Sequence, residues 1–170
     1  LSLTKYSEVK RAIGTDSRIG NKFISPGPGF GGSCFKKDIL NLVYLCNFYG
    51  LKEVAEYWGK ILEINSWQKN RITEIIFQKL FGTITSKNIA IFGFSYKSNT
   101  NDTRESPAIE ICHQLMNEGA NLKIYDPRVS IKQLEKDLGL NKKDNVAIDS
   151  FNGSWEFSTD SYTAAEGTDA

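Results

Sequence analysis

The spacing of apolar residues changes once along the chain, and the change predicts two kinds of structure. From residue 33 a helical face forms, made of Ile39, Leu42, Val43, Leu45 and Cys46. Gly50 then occupies a position that often ends a helix. A second helical pattern runs from about Lys52 to Leu80, with an apolar stripe of Val54, Trp58, Ile61, Leu62, Ile72, Ile75 and Ile76. This length exceeds that of most globular helices, which predicts a spine or an oligomer seam.

Beyond Lys87 the pattern alternates between short apolar runs and helical segments. The run "NIAIFGFS" is typical of a buried parallel strand, and "NLKIYD" is the next strand. Between them, Ser106 and Pro107 predict a helix start, and Gly119 a helix end. The residues 130–133, "SIKQ", predict a capping box that opens another helix, and the last residues predict one more strand and a helix start. Strand, helix and strand in this order predict a parallel sheet.

The fold class is therefore predicted as α/β, with a helical region at 1–84 followed by an incomplete parallel-sheet domain at 85–170. The chain of 170 residues has 40% hydrophobic residues, enough for a core, and a formal net charge of +1. Such a charge balance does not favour a nucleic acid or a membrane surface as partner. The chain starts without methionine inside a helical pattern and stops before a further expected strand, so we expect a fragment of a longer protein.

Cysteine usage points to a reducing compartment. Cys34, Cys46 and Cys112 are odd in number, widely spaced and accompanied by a single histidine, His113. This pattern does not favour a zinc site or a disulfide framework. We therefore expect free thiols in a cytoplasmic protein.

The segment "SPGPGFGGSCFKKD", residues 25–38, carries the candidate chemistry. Its glycines at 27, 29 and 32 fit the G-x-G-x-x-G pattern of dinucleotide-binding loops. That fingerprint needs a strand before the loop, and "GNKFIS" is a poor strand, while the helix after the loop leads into another helix. A frame around Cys34, with glycines that let the backbone pass close to a ligand, agrees better with these residues.

Cys34 lies at the predicted start of a helix, where unpaired backbone N–H groups and the nearby Lys36 and Lys37 favour a thiolate. Thiolate is the nucleophilic form, and Asp38, one turn further on, is placed to hold a water or accept a proton. Two simpler explanations stay open. A cysteine at a helix start is often a small buried residue, and an aspartate there is favourable for the helix dipole alone.

Four segments resemble the UDP-glucose/GDP-mannose dehydrogenase family: "RIGNKF", "GFGGSCFKKD", "NLVYLC" and "IAIFGFSYKSNTNDTRES". Their order is that of the family, and the forms "FKKD" and "DTRES" are similar to the enzymes that act on UDP-glucose. The resemblance implies a Rossmann-like nucleotide-sugar domain in the second half. It also implies oxidation of the sugar C6 alcohol to a carboxylate with two NAD+, in a homo-oligomer built through the central helices.

The resemblance also implies roles for individual residues. Cys34 corresponds to the nucleophile and Asp38 to the acid that assists the water and the thiol. Arg18 corresponds to an arginine supplied to the neighbouring subunit's substrate. The substrate-binding positions would be Arg18, Phe23, Ser25, Pro26, Gly27, Pro28, Gly29, Phe30, Gly31, Tyr96 and Lys97. The cofactor-binding positions, for NAD, would be Cys34, Phe35, Lys36, Lys37 and Arg104.

The sequence departs from the family at "SPGPG" and at "KSNTND". The prolines would either fix the substrate loop in one shape or alter its closure. For Lys97 and Arg104 a solvated loop without ligand contact stays open, and Arg104 could pair with Asp102 or Glu105. The family's N-terminal NAD-binding domain lies outside this chain, so we expect the chain alone not to turn over substrate. A non-catalytic binding or assembly module, and a dehydrogenase for another sugar nucleotide, are the alternatives.

Overall fold

The computed structural model describes residues 3–22, 24–139 and 152–170. Its elements follow the predicted order. They are α1 (Leu3–Gly14), α2 (Phe35–Phe48), α3 (Lys52–Lys79), β1 (Asn88–Phe92), α4 (Pro107–Asn117), β2 (Asn121–Tyr125), α5 (Ile131–Leu138), β3 (Ser154–Phe157) and α6 (Ser161–Ala165). The predicted α/β class, with helices first and a parallel sheet after them, is confirmed.

The sheet has the order β1-β2-β3, and both pairs are parallel. Asn88 is paired with Asn121, and Asn121 with Ser154, so the three strands start level with one another. Their carboxyl ends therefore lie at the same edge of the sheet, where parallel sheets place their ligand-binding loops. The loop that follows β1 leaves from this edge and carries Tyr96, Lys97 and Arg104.

The main core lies between the sheet, α3, α4 and α5. Its fully buried members come from several of these elements and include Phe94, Cys112, Leu115, Met116, Leu122, Ile124 and Leu134. Ser106 starts α4 as predicted: its Oγ accepts a hydrogen bond from the Ala108 N–H and donates one to the Phe94 carbonyl (2.7 Å). These bonds fix the end of the loop that follows β1 to the core.

A buried carboxylate, Asp126, lies at the carboxyl ends of the strands. Asp126, directly after β2, accepts hydrogen bonds from the backbone N–H groups of Phe94, Ser95, Arg128 and Val129. Burial alone raises the pKa of Asp126, but these four donors outweigh it and the pKa is lowered. The charged side chain thereby ties the chain that follows β1 to the chain that follows β2.

Helices α2 and α3 pack together, and α3 also packs on α4. Ile39 and Cys46 of α2 and Ala55 of α3 are buried. Other members of the predicted apolar faces, Leu45, Val54 and Ile75, are exposed. Between α3 and α4, Thr73 donates a hydrogen bond to Gln114 (2.6 Å), and the buried Lys69 forms an ion pair with Glu110.

The capping box predicted at residues 130–133 is wrong. Ser130 is the N-cap of α5, but its side chain makes no capping hydrogen bond. The Gln133 amide group donates to the Thr103 hydroxyl and the Asp137 carboxylate. Within the described ranges, no helix combines the length and the apolar character needed to cross a membrane.

Candidate active site

Cys34 lies in the turn that leads into α2 and acts as its N-cap residue (φ −103°, ψ −49°). Its side chain is exposed, so the alternative of a small buried cysteine is wrong for this position. The Ser33 hydroxyl lies 3.5 Å from the Cys34 sulfur, within hydrogen-bond reach of a thiol. The Asp38 N–H donates to the Cys34 carbonyl (2.9 Å), which places Asp38 one turn along α2, with an exposed side chain. The thiol and the carboxylate are thus both open to solvent at one end of this helix.

The loop before Cys34 is held by other parts of the chain. Lys10 of α1 donates to the Ser25 hydroxyl (2.9 Å), and Gln68 of α3 donates to the Gly27 carbonyl (3.1 Å). Asn65 of α3 exchanges two hydrogen bonds with the Phe30 backbone. Pro26 and Pro28 are exposed, and no strand precedes the loop among the residues described on that side. The dinucleotide fingerprint therefore lacks the strand that it needs.

The same loop meets the loop that follows β1. The Gly32 N–H donates to the Arg104 carbonyl (2.8 Å), and the Tyr96 ring lies against Gly32. A Cβ atom at Gly31 would lie 2.2 Å from the Glu105 carbonyl oxygen. The glycines predicted to let the backbone approach a ligand therefore also let it approach the chain itself. This contact joins the helical region to the parallel-sheet region next to Cys34.

Arg104 and Lys97 are both exposed, but each has a partner. Asp102 binds the Arg104 guanidinium through two hydrogen bonds (2.6 and 2.9 Å), which decides between the two partners considered from the sequence. This pairing lowers the pKa of Asp102 to about 2. It also raises the pKa of Arg104. The Lys97 ammonium lies 5.2 Å from the centre of the Tyr96 ring.

The first turn of α2 contributes further contacts. Lys36 forms an ion pair with Glu105 (3.0 Å), and the Phe35 ring meets the Phe30 ring edge-on at 4.6 Å. Lys37 is exposed. The structure therefore brings Gly31, Gly32 and Lys36 of the 25–38 segment into contact with the loop that carries Tyr96, Lys97 and Arg104.

Two predicted positions are not joined to this cluster. The Arg18 side chain is exposed and bound by Asp16 two residues earlier (2.5 Å), and that pairing lowers the pKa of Asp16. None of its described contacts reaches the Cys34 loop. Phe23 lies outside the described residues, so its predicted role stays a prediction.

Sequence reasoning did not identify the residues that support the loop: Asn65, Gln68, Lys69, Glu105 and Glu110. Several of them line a cavity of about 130 Å³ behind Phe30, Gly31 and Gly32. A usable signal was the polar group Asn65, Gln68 and Lys69 in the middle of a helix with apolar neighbours. The described residues contain no group of three or more His, Cys, Asp or Glu side chains that could hold a metal ion.

The fold is that of nucleotide-sugar dehydrogenases of known structure. A UDP-glucose dehydrogenase from Pyrobaculum islandicum matches 96% of this chain and 34% of that chain, with a TM-score of 0.73 and 28% identity. A GDP-mannose dehydrogenase from Pseudomonas aeruginosa matches 78% of this chain and 28% of that chain, with a TM-score of 0.57 and 26% identity.

Two domain models of one dehydrogenase family match this chain. The central domain of the UDP-glucose/GDP-mannose dehydrogenase family matches residues 4–67, and the UDP binding domain of the same family matches residues 90–170. The chain belongs to the UDP-glucose/GDP-mannose dehydrogenase family.

Curated relatives agree with this family. UDP-glucose 6-dehydrogenase 1 of Glycine max is 53% identical over 137 residues, which is 81% of this chain and 28% of the relative. UDP-glucose 6-dehydrogenase 4 of Arabidopsis thaliana is 51% identical over 138 residues, which is 81% of this chain and 29% of the relative. The chain thus spans less than a third of the length of the relatives that it matches.

Proposed function

We propose that this chain provides the cysteine nucleophile and part of the sugar-nucleotide site of a UDP-glucose 6-dehydrogenase. The observation that carries the proposal is the exposed Cys34 thiol at the start of α2, beside the turn that holds Arg104. The names of the plant relatives favour UDP-glucose as the substrate. The similarity to a GDP-mannose dehydrogenase structure makes another sugar nucleotide the outcome to test against.

The proposed chemistry has two oxidations. The C6 alcohol first loses a hydride and a proton to become an aldehyde. The Cys34 sulfur then adds to the aldehyde carbon, and the carbonyl oxygen takes up a proton, which gives a thiohemiacetal. Loss of a second hydride and of the hydroxyl proton leaves a thioester on Cys34. Water attacks the thioester carbon and the C–S bond breaks, so the sugar carboxylate leaves, Cys34 returns as thiolate, and both protons of the water pass to the neighbouring base and the solvent.

Asp38 is proposed to handle protons in this sequence. Its carboxylate lies one helical turn from Cys34 and is exposed, so a water molecule can reach both side chains. A carboxylate in this position can orient the attacking water and accept its proton. The sugar and diphosphate are proposed to lie along the 25–31 loop and the Tyr96–Lys97 turn, where cationic Lys97 and backbone N–H groups suit an anion. Arg18 is proposed to reach the substrate of a neighbouring copy.

NAD+ supplies the hydride acceptor when it is bound. The residues of this chain suit a diphosphate such as that of NAD+, because Lys37 in the first turn of α2 and Arg104, whose carbonyl accepts from the Gly32 N–H, both carry exposed cationic side chains. Arg104 is held in a fixed orientation by Asp102, so its guanidinium is ready to bind an anion without being ordered first.

A homo-oligomer is proposed through the outer surface of α2 and α3. Four aromatic side chains are largely exposed there: Tyr44 (64%), Phe48 (69%), Tyr49 (72%) and Tyr57 (66%). A concentrated aromatic surface of this kind is typical of a protein interface. In sedimentation, Phe48→Asp should shift the chain towards the monomer, and an unchanged sedimentation coefficient would contradict this assignment.

Two further expectations are kept as proposals. We propose that the helical region at 1–84 carries the nucleophile, the 25–31 substrate loop and the oligomer contacts, and that 85–170 is part of a UDP-sugar-binding domain. A cytoplasmic location is supported by the three free cysteines.

Alkylation of the thiols tests the proposed nucleophile. Cys46 and Cys112 are buried, and burial raises the pKa of Cys112 to about 12, so iodoacetamide should modify Cys34 first. Cys34→Ser should remove the fast phase, and UDP-glucose should slow it. If the rate depends on pH as it does for an ordinary exposed thiol, although UDP-glucose binds, the chain is a non-catalytic nucleotide-sugar-binding module instead.

Substrate choice is tested by comparing UDP-glucose, GDP-mannose and UDP-N-acetylmannosamine. Binding is measured by calorimetry on this chain, and NADH formation is measured in a protein that also contains the family's NAD-binding domain. A preference for either of the last two sugar nucleotides would refute the substrate assignment.

A further inference from the structure

The side-chain amide of Asn65, on α3, binds the backbone of Phe30 in the loop that leads to Cys34, residues 25–34, which we call the Cys34 loop. The Asn65 Oδ1 accepts a hydrogen bond from the Phe30 N–H (2.8 Å), and the Asn65 Nδ2 donates one to the Phe30 carbonyl (3.1 Å). The two residues are 35 positions apart, and both hydrogen bonds are partly buried. Because one side chain satisfies a donor and an acceptor of the same residue, it fixes the orientation of the backbone as well as its distance from α3.

The glycines on either side of Phe30 make this contact possible. Gly29 has a φ of 140°, and a Cβ there would lie 2.7 Å from the Asn65 Oδ1. Gly31 contacts the Arg104–Glu105 turn on the other side of the loop, where a Cβ would lie 2.2 Å from the Glu105 carbonyl oxygen. Residues 29–31 are therefore wedged between α3 on one side and the Arg104–Glu105 turn on the other.

The position of Phe30 is passed on to Cys34 by direct contacts. The Phe30 ring packs edge-on against Phe35, the first residue of α2 and the immediate neighbour of Cys34. Two residues beyond Phe30, the Gly32 N–H donates to the Arg104 carbonyl. A shift of the Phe30 peptide would therefore move the start of α2 relative to the turn that carries Arg104.

We infer that Asn65 is a positioning residue, which fixes the Cys34 loop against the Arg104 turn in the conformation that takes the sugar nucleotide. The inference rests on the proposed function for the identity of the ligand only. Asn65 makes its described hydrogen bonds to Phe30 alone and none to α4, whereas Asn70, Lys69 and Thr73 connect α3 to α4. Loss of Asn65 should thus loosen the loop without separating these two helices.

The test compares Asn65→Ala with Asn70→Ala. Both variants remove an asparagine of α3 that makes a hydrogen bond to another segment, but only Asn65 contacts the loop. We expect Asn65→Ala to speed amide hydrogen exchange at Phe30 at least tenfold and to raise the Kd for UDP-glucose about tenfold. Asn70→Ala should leave both quantities within twofold of the wild type. Asn65→Asp keeps the acceptor and loses the donor, so it should fall between the wild type and Asn65→Ala.

The readouts separate this inference from the proposed function. Hydrogen exchange at Phe30 is measured without ligand, so it tests the hydrogen bonds between Asn65 and Phe30 even if UDP-glucose does not bind. Failure of the wild-type chain to bind UDP-glucose would count against the proposed function alone. Equal changes in the two alanine variants, or unchanged exchange at Phe30 in Asn65→Ala, would overturn the positioning role.

Discussion

Replacing Gly31 with alanine should separate the two halves of the candidate site. The added Cβ would lie 2.2 Å from the Glu105 carbonyl oxygen, 2.8 Å from its carbonyl carbon and 3.0 Å from the Tyr96 Cβ. Two of these three atoms belong to the backbone, so no side-chain rotation relieves the overlap. Glu105 itself has a φ of 54°, a left-handed conformation that leaves its turn little freedom to move away.

The size of the effect follows from two contributions. Overpacking of a close contact costs about 1–3 kcal/mol. If the loop moves outwards instead, the hydrogen bond from Gly32 to the Arg104 carbonyl is lost, at about 1 kcal/mol. We therefore expect Gly31→Ala to lower the free energy of unfolding by about 1–3 kcal/mol, whichever way the overlap is relieved. Urea denaturation measures this quantity, and an unchanged m-value would show that the unfolded state is not affected.

Gly27→Ala is the matched control in the same loop. A Cβ at Gly27 would meet only the Gly29 carbonyl oxygen, at 3.8 Å, which is ordinary contact. Its unfolding free energy should stay within about 0.5 kcal/mol of the wild type. Equal stabilities of the two variants would refute the reasoning, because the contact with Glu105 would then carry no steric constraint.

Three further predictions concern other parts of the chain. A Cβ at Gly59, inside α3, meets no atom within 4 Å, so Gly59→Ala should stabilise the chain by about 1 kcal/mol and raise Tm by about 2–4 °C; a lower Tm in calorimetry would contradict this. Asp126→Asn should cost about 2–3 kcal/mol near pH 7. Because the pKa of Asp126 is lowered on folding, the wild type holds this stability above about pH 4 and loses it as pH falls through the folded pKa, whereas the variant should lack this dependence in urea titrations. In an NMR titration Asp102 should ionise with a pKa of about 2, and Arg104→Ala should return it towards its ordinary value; a pKa that does not move would refute the pairing.

The elements of the fold were predictable because their signals are local. The run "NIAIFGFS" and the Ser106–Pro107 start of α4 each depend on a few neighbouring residues, and β1 and α4 begin where these signals stand. The position of Cys34 at the start of α2 was predictable for the same reason. Residue chemistry alone left its role open, and the motifs shared with a known family gave that role.

The supports of the site were not predictable, because they join distant positions. The hydrogen bonds between Asn65 and Phe30 span 35 residues, and the ion pair between Lys36 and Glu105 spans 69. Periodicity shows that a helix has a polar position but not which segment will lie against it. The burial of the apolar stripe was not predictable for a related reason: Val54 and Ile75 belong to it but are exposed, and an apolar pattern does not say which surface will lie against it.

The contact beside Cys34, between residues 31–32 and residues 104–105, is made by main-chain atoms on both sides. These are the Gly32 N–H, the bare Cα of Gly31, and the carbonyl groups of Arg104 and Glu105. Its fit depends on two glycines and on the path of one turn, while the side chains at 104 and 105 point elsewhere, to Asp102 and Lys36. Substitution of the Arg104 side chain can therefore leave this main-chain contact in place. For protein engineers, positions 31 and 32 are accordingly the ones to keep as glycine when other residues of these two loops are varied.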